Sequence, residues 1–250
     1  MIDIQNLSQV LIFDNSQEVA RAAAARFVEI ARAAINQSGR FSVALSGGST
    51  PKVVYELLAS DEYRNSLEWS QVHIFFGDER CVPPDHAESN YRIANEAMLS
   101  RLPIPTQNIH RMQGVGDAVA NARLYEDESR TFFTGALWPR FDLVLLGMGD
   151  DGHTASLFPG SPALSETSAW VAANWVEKFN AFRITLTLPA INHAAHIIFL
   201  VTGDGKAQRL SEVLSGENVA GQLPSQLIRP VDGSLEWLID KAAAAHLDDK

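Results

Sequence analysis

The sequence predicts an α/β protein in three layers, with a mostly parallel sheet covered by helices. Short apolar runs alternate with longer helical stretches along the chain, a pattern typical of parallel strands that are buried on both faces. The chain has 250 residues and a hydrophobic content of 46%. This is enough for a sizeable core, and we expect residues 1–250 to form a single domain.

The first predicted element is a helix over Ser16–Gln37. Asn15 and Glu18 have the spacing of a capping box, in which the two residues bond each other's backbone N–H groups. Gly39 supplies the stop, because glycine readily adopts the left-handed conformation that ends many helices.

The strands and the remaining helices follow from alternating apolar and amphipathic segments. Four buried strands are predicted at Phe41–Leu45, Val72–Phe76, Asp142–Leu146 and His196–Val201. The intervening helices are predicted at Pro51–Ala59, Ser89–Leu99, Asp117–Phe133 and Lys206–Leu214. Two further strands are predicted at Trp170–Val176 and Phe182–Leu188, with an antiparallel arrangement as one option.

A polar, glycine-rich loop follows each of the four buried strands. In chain order these loops read SGGSTP, GDERCVPP, GMGDDGHTASLFPG and TGDGKA. The carboxyl ends of parallel strands lie at one edge of a sheet, and ligands bind there. We therefore expect the loops to converge on one crevice.

The first loop has the residue types of an anion site. It contains Ser46, Gly47, Gly48, Ser49, Thr50 and Pro51. Glycines let the backbone approach a ligand, Thr50 is predicted to cap the next helix, and Pro51 suits its first turn. The N-terminus of a helix binds anions through its unpaired N–H groups. The alternative interpretation is a plain strand-to-helix turn.

Two cations are candidates for completing that site. Lys206 stands at the start of a predicted helix, where a positive charge opposes the helix dipole and a bound anion would remove the conflict. A solvated lysine is the alternative. Arg183 interrupts an otherwise apolar strand, so it is either an edge residue or an inward-facing anion ligand.

The second loop contributes Asp78, Glu79 and Arg80. Adjacent opposite charges are usually solvated or paired with each other. At the carboxyl end of a strand, they are also candidates for binding sugar hydroxyls or for transferring protons.

His153, in the third loop, is the candidate general acid or base, because histidine titrates near neutral pH. Asp150 or Asp151 is expected to orient its ring. A helix-capping or core histidine is the alternative. His193 and His196 are three residues apart, but no cysteine or acidic cluster accompanies them, so we expect no metal site.

Composition excludes several classes of protein. The net charge of −10 disfavours nucleic acid as a partner. The single cysteine, Cys81, excludes an internal disulfide. The segment MIDIQNLSQV lacks the features of a signal peptide, and no apolar run is long enough to cross a bilayer. We expect a cytoplasmic protein that does not bind membranes and is a monomer or weak homo-oligomer.

Five segments together resemble the 6-phosphogluconolactonase family. They are ALSGGSTP, FFGDERCVPPDHAESNY, DLVLLGMGDDGHTASLFPG, RITLTLPAIN and VTGDGKA, which occur in the family's order over about residues 43–207. The resemblance implies a Rossmann-like fold of the glucosamine-6-phosphate deaminase type. It also implies hydrolysis of 6-phospho-D-glucono-1,5-lactone to 6-phosphogluconate, in the oxidative pentose phosphate pathway, without a cofactor.

The resemblance also assigns roles to residues of the loops. The implied phosphate site comprises Ser46, Gly47, Gly48, Ser49 and Thr50, with Arg183 and Lys206. His153 is implied to activate water, and Asp78 and Arg80 to lie near the sugar ring. Asp151 is an additional catalytic candidate on the third loop and is not assigned by the resemblance. A lactone carbonyl is already reactive, so a base and a positioned water suffice without a metal or a covalent nucleophile.

Two alternatives remain from the sequence. An amino-sugar-phosphate isomerase or deaminase carries a GHxAFNE pattern, with a glutamate five residues after the histidine, and here that position is Phe158. A sugar-phosphate sensor that binds without turnover usually has an added basic DNA-binding helix pair, which is not expected in this acidic chain.

Overall fold

The computed structural model describes residues 8–215 and 223–247 of the chain. The strands are β1 (Ser8–Phe13), β2 (Phe41–Leu45), β3 (Val72–Phe76), β4 (Asp78–Arg80), β5 (Leu143–Gly147), β6 (Val171–Val176), β7 (Ala181–Leu186), β8 (His196–Val201) and β9 (Ser234–Asp240). The α-helices are α1 (Ser16–Ser38), α2 (Ser49–Leu58), α3 (Asn90–Ala97), α4 (Ala118–Phe132), α5 (Leu188–Asn192) and α6 (Ala207–Ser215).

Six parallel strands form the central sheet, in the order β1-β9-β8-β5-β2-β3. Helices flank it, and the predicted α/β fold class is confirmed. All four strands predicted to be buried belong to this sheet. The strand predicted from Asp142 begins one residue later, because the Asp142 carboxylate instead accepts hydrogen bonds from the backbone N–H and hydroxyl of Ser42, each at 2.7 Å.

The strands β1 and β9 were not predicted. In β9, Glu236 interrupts the apolar run SLEWLID, although it is buried in the structure. Its carboxylate is paired with the Arg26 guanidinium of α1. A buried charge with a partner on a distant helix leaves no local pattern in the sequence.

A second, antiparallel sheet has the order β4-β7-β6. The antiparallel option for the two additional strands is therefore confirmed. The GDER segment, expected to be a loop, contributes β4 to this sheet. The strand predicted to reach Leu188 ends at Leu186, because Thr187 caps the short helix α5 by accepting a hydrogen bond from the N–H of Ala190.

The capping predictions are confirmed at α1 and corrected at α2. The Asn15 side chain accepts hydrogen bonds at the start of α1, and Gly39 ends the helix at φ 76°. Glu18 bonds the N–H of Asp14 and not that of Asn15, so the capping box is only half formed. At α2 the N-cap is Gly48, not Thr50, and Thr50 lies within the first turn.

One hydrophobic core cluster includes residues of both sheets. Phe41, Phe75 and Phe199 are fully buried, and the Phe199 and Trp237 rings stack with centroids 3.8 Å apart. Each buried aromatic stabilises the fold by about 1.5–3 kcal/mol relative to an exposed one. Among the described residues, no helix is both long enough and apolar enough to span a bilayer.

Candidate active site

The loops that follow β2, β3, β5 and β8 meet at one edge of the central sheet, as predicted. Between them lies a cavity of about 240 Å³, which we call the sheet-edge cavity. It is lined by Ser46, Gly47, Gly48, Asp78, Arg80, Asn90, Gly147, Met148, Gly149, His153, Ala155 and Lys206. Seven of the predicted site residues are thus brought together, whereas Ser49, Thr50, Asp151 and Arg183 lie outside this lining.

Two buried tyrosines hold the strand ends beneath the cavity. The Tyr55 hydroxyl bonds both the N–H and the carbonyl of Ser46, at 3.1 and 2.6 Å. The Tyr125 hydroxyl does the same at Phe76, at 2.9 and 3.3 Å. Burial raises the pKa of both hydroxyls, so they remain neutral and able to donate. The two loops therefore leave the sheet from fixed positions.

The first loop requires glycine for close packing and for its backbone conformation. A Cβ on Gly47 would lie 1.8 Å from the Asn90 side-chain oxygen. Gly48 has φ 107°, in the region that favours glycine, and it is the N-cap of α2. This geometry brings the backbone to the cavity wall at a helix N-terminus, whose first N–H groups have no partner within the helix.

Thr50 links two of the converging loops. Its hydroxyl lies 2.8 Å from the hydroxyl of Thr202, which follows β8. Ser49 is exposed at the first position of α2. The roles of these two side chains in anion binding stay predictions.

Asp78 is held in place by its neighbours. It is buried, and its carboxylate accepts hydrogen bonds from the Ser156 hydroxyl at 2.6 Å and from the Asn90 amide at 3.1 Å. Ser156 lies on the third loop and Asn90 begins α3. Asp78 therefore joins three segments at the cavity wall.

Glu79 has no oxygen available for a substrate. Its carboxylate accepts hydrogen bonds from the backbone N–H groups of Arg80, Asn90 and Tyr91 and from the Ser89 hydroxyl, at 2.7–3.0 Å. Burial raises its pKa, although these hydrogen bonds oppose the effect. The suggestion that Glu79 binds a sugar or transfers a proton is therefore wrong, because Glu79 anchors the start of α3.

Arg80 on β4 and Arg183 on β7 are neighbours on adjacent strands of the second sheet. They are paired in register between β4 and β7. The Arg80 guanidinium donates to the carbonyl of Glu88 at 2.5 Å, and that of Arg183 lies 5.2 Å from the Phe179 ring centroid. Burial, followed by the charge of Arg80, lowers the pKa of Arg183. Only Arg80 lines the cavity, so phosphate binding by Arg183 stays a prediction.

The two aspartates of the third loop have different partners. The His153 Nδ1 lies 2.5 Å from Asp151 Oδ1, whose carboxylate also accepts the His153 backbone N–H at 3.2 Å. Burial alone would raise the pKa of Asp151, but hydrogen bonds from His153 and Lys178 outweigh it and hold this pKa well below its usual range. Asp150 instead pairs with Lys206. Asp151 is therefore the residue that orients the histidine.

Because Asp151 is ionised, Nδ1 of His153 is the donor of their hydrogen bond. The other ring nitrogen, Nε2, is then the acceptor in the neutral imidazole. Within residues 8–215 and 223–247, no group hydrogen-bonds Nε2. The ring is thus set up to take a proton from a molecule in the cavity.

Two neighbours pack closely against the His153 ring. The Phe158 ring stacks on it, with centroids 4.1 Å apart and an interplanar angle of 23°. A Cβ on Gly149 would lie 2.0 Å from Nδ1. Gly149 therefore makes room for the imidazole.

Lys206 is one of two cations in the cavity wall, with Arg80. It lies in the turn before α6, where the predicted conflict with the helix dipole is met by the carboxylate of Asp150. The hydrogen bond from Lys206 lowers the pKa of Asp150. The lysine is held at the cavity by the exposed carboxylate of Asp150, and its role in anion binding stays a prediction.

In the part of the chain that the structure describes, no cluster of three or more histidine, cysteine or carboxylate side chains is suited to a metal ion. The ring of His193 bonds the carbonyl of Pro189, whereas that of His196 bonds the Ser234 hydroxyl. The two histidines thus have separate partners.

The model of the family described as glucosamine-6-phosphate isomerases/6-phosphogluconolactonase matches residues 14–237. The chain belongs to this family. A 6-phosphogluconolactonase of Synechocystis is 44% identical over 217 residues, which cover 86% of this chain and 88% of the relative. A probable chloroplastic 6-phosphogluconolactonase of Oryza sativa is 38% identical, with 97% of this chain and 78% of the relative covered.

Solved structures of the family have the same fold. The 6-phosphogluconolactonase from Trypanosoma cruzi superposes with a TM-score of 0.86 at 34% identity, covering 96% of this chain and 97% of the other. A monomeric glucosamine-6-phosphate deaminase superposes with a TM-score of 0.79 at 21% identity, covering 95% of this chain and 99% of the other. The second likeness concerns the fold alone. The Rossmann-like, deaminase-like fold implied by the sequence motifs is confirmed.

Several site residues were missed by the sequence analysis. Asn90 contacts Asp78 from a segment whose approach only the fold reveals. Phe158 was named only as the residue in place of the deaminase glutamate, and its stacking on His153 was not predicted. The SNY triplet that contains Asn90 was quoted as part of a family motif without a role. Gly149 was not singled out within its glycine-rich loop, and the ring that it accommodates is four residues further along that loop.

Proposed function

We propose that the chain is a 6-phosphogluconolactonase, which hydrolyses 6-phospho-D-glucono-1,5-lactone to 6-phosphogluconate. The observation that carries this proposal is the Asp151–His153 pair at a cavity that is also lined by Lys206 and by Gly48, the N-cap of α2. One part supplies a base and the other an anion site, as a phosphorylated lactone requires. The similarity to the 6-phosphogluconolactonase of Synechocystis supports the same activity.

The phosphate of the substrate is bound at the end of the cavity formed by the first loop. Backbone N–H groups at Gly48 and the first turn of α2 donate to its oxygens, favoured by the helix dipole. Lys206 supplies a positive charge there and exchanges Asp150 for the phosphate. Arg183, which lies beside Arg80 on the neighbouring strand, is proposed to contribute positive charge to the phosphate site. Held at this end, the phosphate sets the position of the lactone ring.

The lactone is opened by water that His153 activates. Nε2 takes one proton as the water oxygen attacks C1, and the carbonyl becomes a tetrahedral oxyanion. Asp151 stabilises the resulting imidazolium through Nδ1. The C1–O5 bond then breaks, and the imidazolium returns its proton to the ring oxygen. The product is a carboxylic acid, which ionises, and the enzyme is unchanged.

Asp78 and Arg80 are proposed to contact the sugar ring. Both line the cavity, and Asp78 is fixed there by Ser156 and Asn90. A buried carboxylate accepts hydrogen bonds from sugar hydroxyls, and the arginine donates to them. No cofactor or metal is needed, because a lactone is reactive enough for base catalysis.

The amino-sugar deaminase alternative is disfavoured by Phe158. At the position of that family's glutamate, this chain has a phenyl ring stacked on His153. A phenyl ring cannot transfer a proton, so ring opening of an amino sugar lacks its acid. The alternative of a sensor without turnover is disfavoured by the oriented histidine, because binding alone does not need a base.

We further propose that the chain acts in the cytoplasm, as a monomer or weak homo-oligomer, and does not bind nucleic acid. Its net charge of −10 repels a phosphate backbone. Sedimentation of the purified protein at several concentrations decides the oligomeric state.

Turnover of the purified lactone is the experiment that tests the proposed function. Lactone is generated by oxidation of glucose 6-phosphate, and 6-phosphogluconate is measured against the spontaneous hydrolysis without enzyme. We expect a saturable enzymatic rate. Ammonia release from glucosamine 6-phosphate would support the deaminase instead, and phosphate-dependent binding without turnover of either compound would support the sensor.

A further inference from the structure

The β6–β7 turn carries a lysine that the sequence motifs did not assign. The Lys178 ammonium donates to Asp151 Oδ2 at 2.9 Å, while the other oxygen of the same carboxylate bonds His153 Nδ1. Lys178 lies in the turn that connects β6 and β7 of the antiparallel sheet, and Asp151 lies in the loop that follows β5 of the central sheet. The ion pair therefore joins the two sheets at the side chain that orients the base.

The turn is also packed against the histidine through aromatic rings. Phe179, next to Lys178, makes an edge contact with Phe158 at 5.7 Å between centroids, and Phe158 stacks on His153. The same short turn thus contacts both residues that hold the imidazole, because Lys178 pairs with Asp151 and Phe179 packs on Phe158. An ordinary surface lysine has no such second contact.

From this geometry we infer that Lys178 is a positioning residue, which fixes the Asp151 carboxylate and limits its attraction for the protonated imidazole of His153. The inference rests on the proposed function for its kinetic consequence. A carboxylate held by two donors cannot rotate to follow the ring. A cation on its second oxygen also draws negative charge away from His153 and repels the imidazolium.

The other charged groups around His153 define what a variant changes. On its own loop are Asp150 and Asp151, and on β4 are Asp78 and Arg80. Lys206, in the turn before α6, pairs with Asp150, and Arg209 of α6 donates to the Asp150 carbonyl at 3.0 Å. The β6–β7 turn carries Lys178 and Glu177. The Glu177 carboxylate accepts a hydrogen bond from Trp175 and is not part of the Asp151 pair. Replacing Lys178 therefore removes one positive charge and leaves the others in place.

The test compares Lys178→Met with Lys178→Arg. In Lys178→Met we expect the acid limb of the kcat/KM profile to move to higher pH by about half a unit, because a unit charge about 6 Å away has this effect in a water-like dielectric. We expect kcat on the plateau to fall about two- to fivefold, the usual worth of a partly exposed ion pair, with KM nearly unchanged. Lys178→Arg keeps the positive charge, so its acid limb should lie at the wild-type pH. In 1 M salt the pH shift between Lys178→Met and wild type should become smaller.

An NMR titration and a control variant keep this test independent of turnover. The titration midpoint of the His153 imidazole, followed by NMR in the enzyme without substrate, should move with the acid limb. Lys241→Met is the matched control, because it removes a lysine from an exposed pair with Asp14 and should leave the midpoint in place. A midpoint unchanged in Lys178→Met would overturn the inference, as would a kcat loss without any movement of the acid limb. If the wild-type protein does not hydrolyse the lactone, the proposed function fails, and the NMR midpoint still decides the role of Lys178.

Discussion

Gly149→Ala is predicted to disable the site through one added carbon atom. A Cβ at this position would lie 2.0 Å from Nδ1 and 2.1 Å from Cε1 of His153. Such contacts do not occur below 3.0 Å, so the imidazole must move by about 1 Å. Nδ1 is also the atom bonded to Asp151, and the movement therefore breaks the pair that orients the base.

The expected effect is on the chemical step. A displacement of about 1 Å at a reacting group costs on the order of a hundredfold in rate, so we expect kcat to fall by about that factor. Gly149 is not among the described glycines with positive φ, so alanine is compatible with its backbone. The melting temperature should therefore change little, and the phosphate end of the cavity should keep its affinity.

The assay is the initial rate of 6-phosphogluconate formation, with thermal unfolding measured on the same sample. Gly205→Ala is the matched control, because Gly205 lies in another loop of the sheet edge and a Cβ there meets nothing within 4 Å. The control should keep wild-type kcat. Near-normal kcat in Gly149→Ala would contradict this prediction, since it would mean that turnover does not depend on the position of the imidazole.

Three other results are expected. Lys206→Ala should raise KM and weaken inhibition by inorganic phosphate about tenfold to a hundredfold, because a charge-assisted hydrogen bond is worth roughly 1.5–3 kcal/mol. If KM and phosphate inhibition are unchanged in this variant, Lys206 is not part of the phosphate site. Exhaustive chelation should leave the rate in metal-free buffer unchanged, and activity that is lost and then restored by one divalent ion would contradict this. Ammonia release from glucosamine 6-phosphate should stay negligible, because Phe158 replaces the acid of the deaminases; a rate comparable with lactone hydrolysis would count against that reasoning.

The central strands and their loops were predictable because their signals are local. Each buried strand is an uninterrupted apolar run, and the polar loop that follows is in the adjacent sequence. The Asp151–His153 pair was also predictable from local sequence, since the two residues are only two positions apart. The sequence left Asp150 and Asp151 as equal candidates, and the structure separates them because Asp151 bonds His153 whereas Asp150 pairs with Lys206.

The remaining parts of the site depend on contacts between distant segments. Asn90 reaches Gly47 across more than forty residues, and Lys178 reaches Asp151 from the β6–β7 turn. Neither contact has a spacing rule that could be read from the chain. Glu79 gave the opposite error, because its charge suggested chemistry and its burial among backbone donors shows a structural role.

The most direct test of base catalysis by His153 is the rate of His153→Asn after subtraction of spontaneous lactone hydrolysis. Removal of a general base typically costs about 10²–10⁴-fold, so kcat should fall within that range while substrate affinity barely changes. The acid limb of the wild-type pH profile should vanish in the variant, and His246→Asn, at an exposed histidine, should behave as wild type. A His153→Asn enzyme with near-normal kcat would contradict the central claim and would move the search for the base to Asp78 or Asp151.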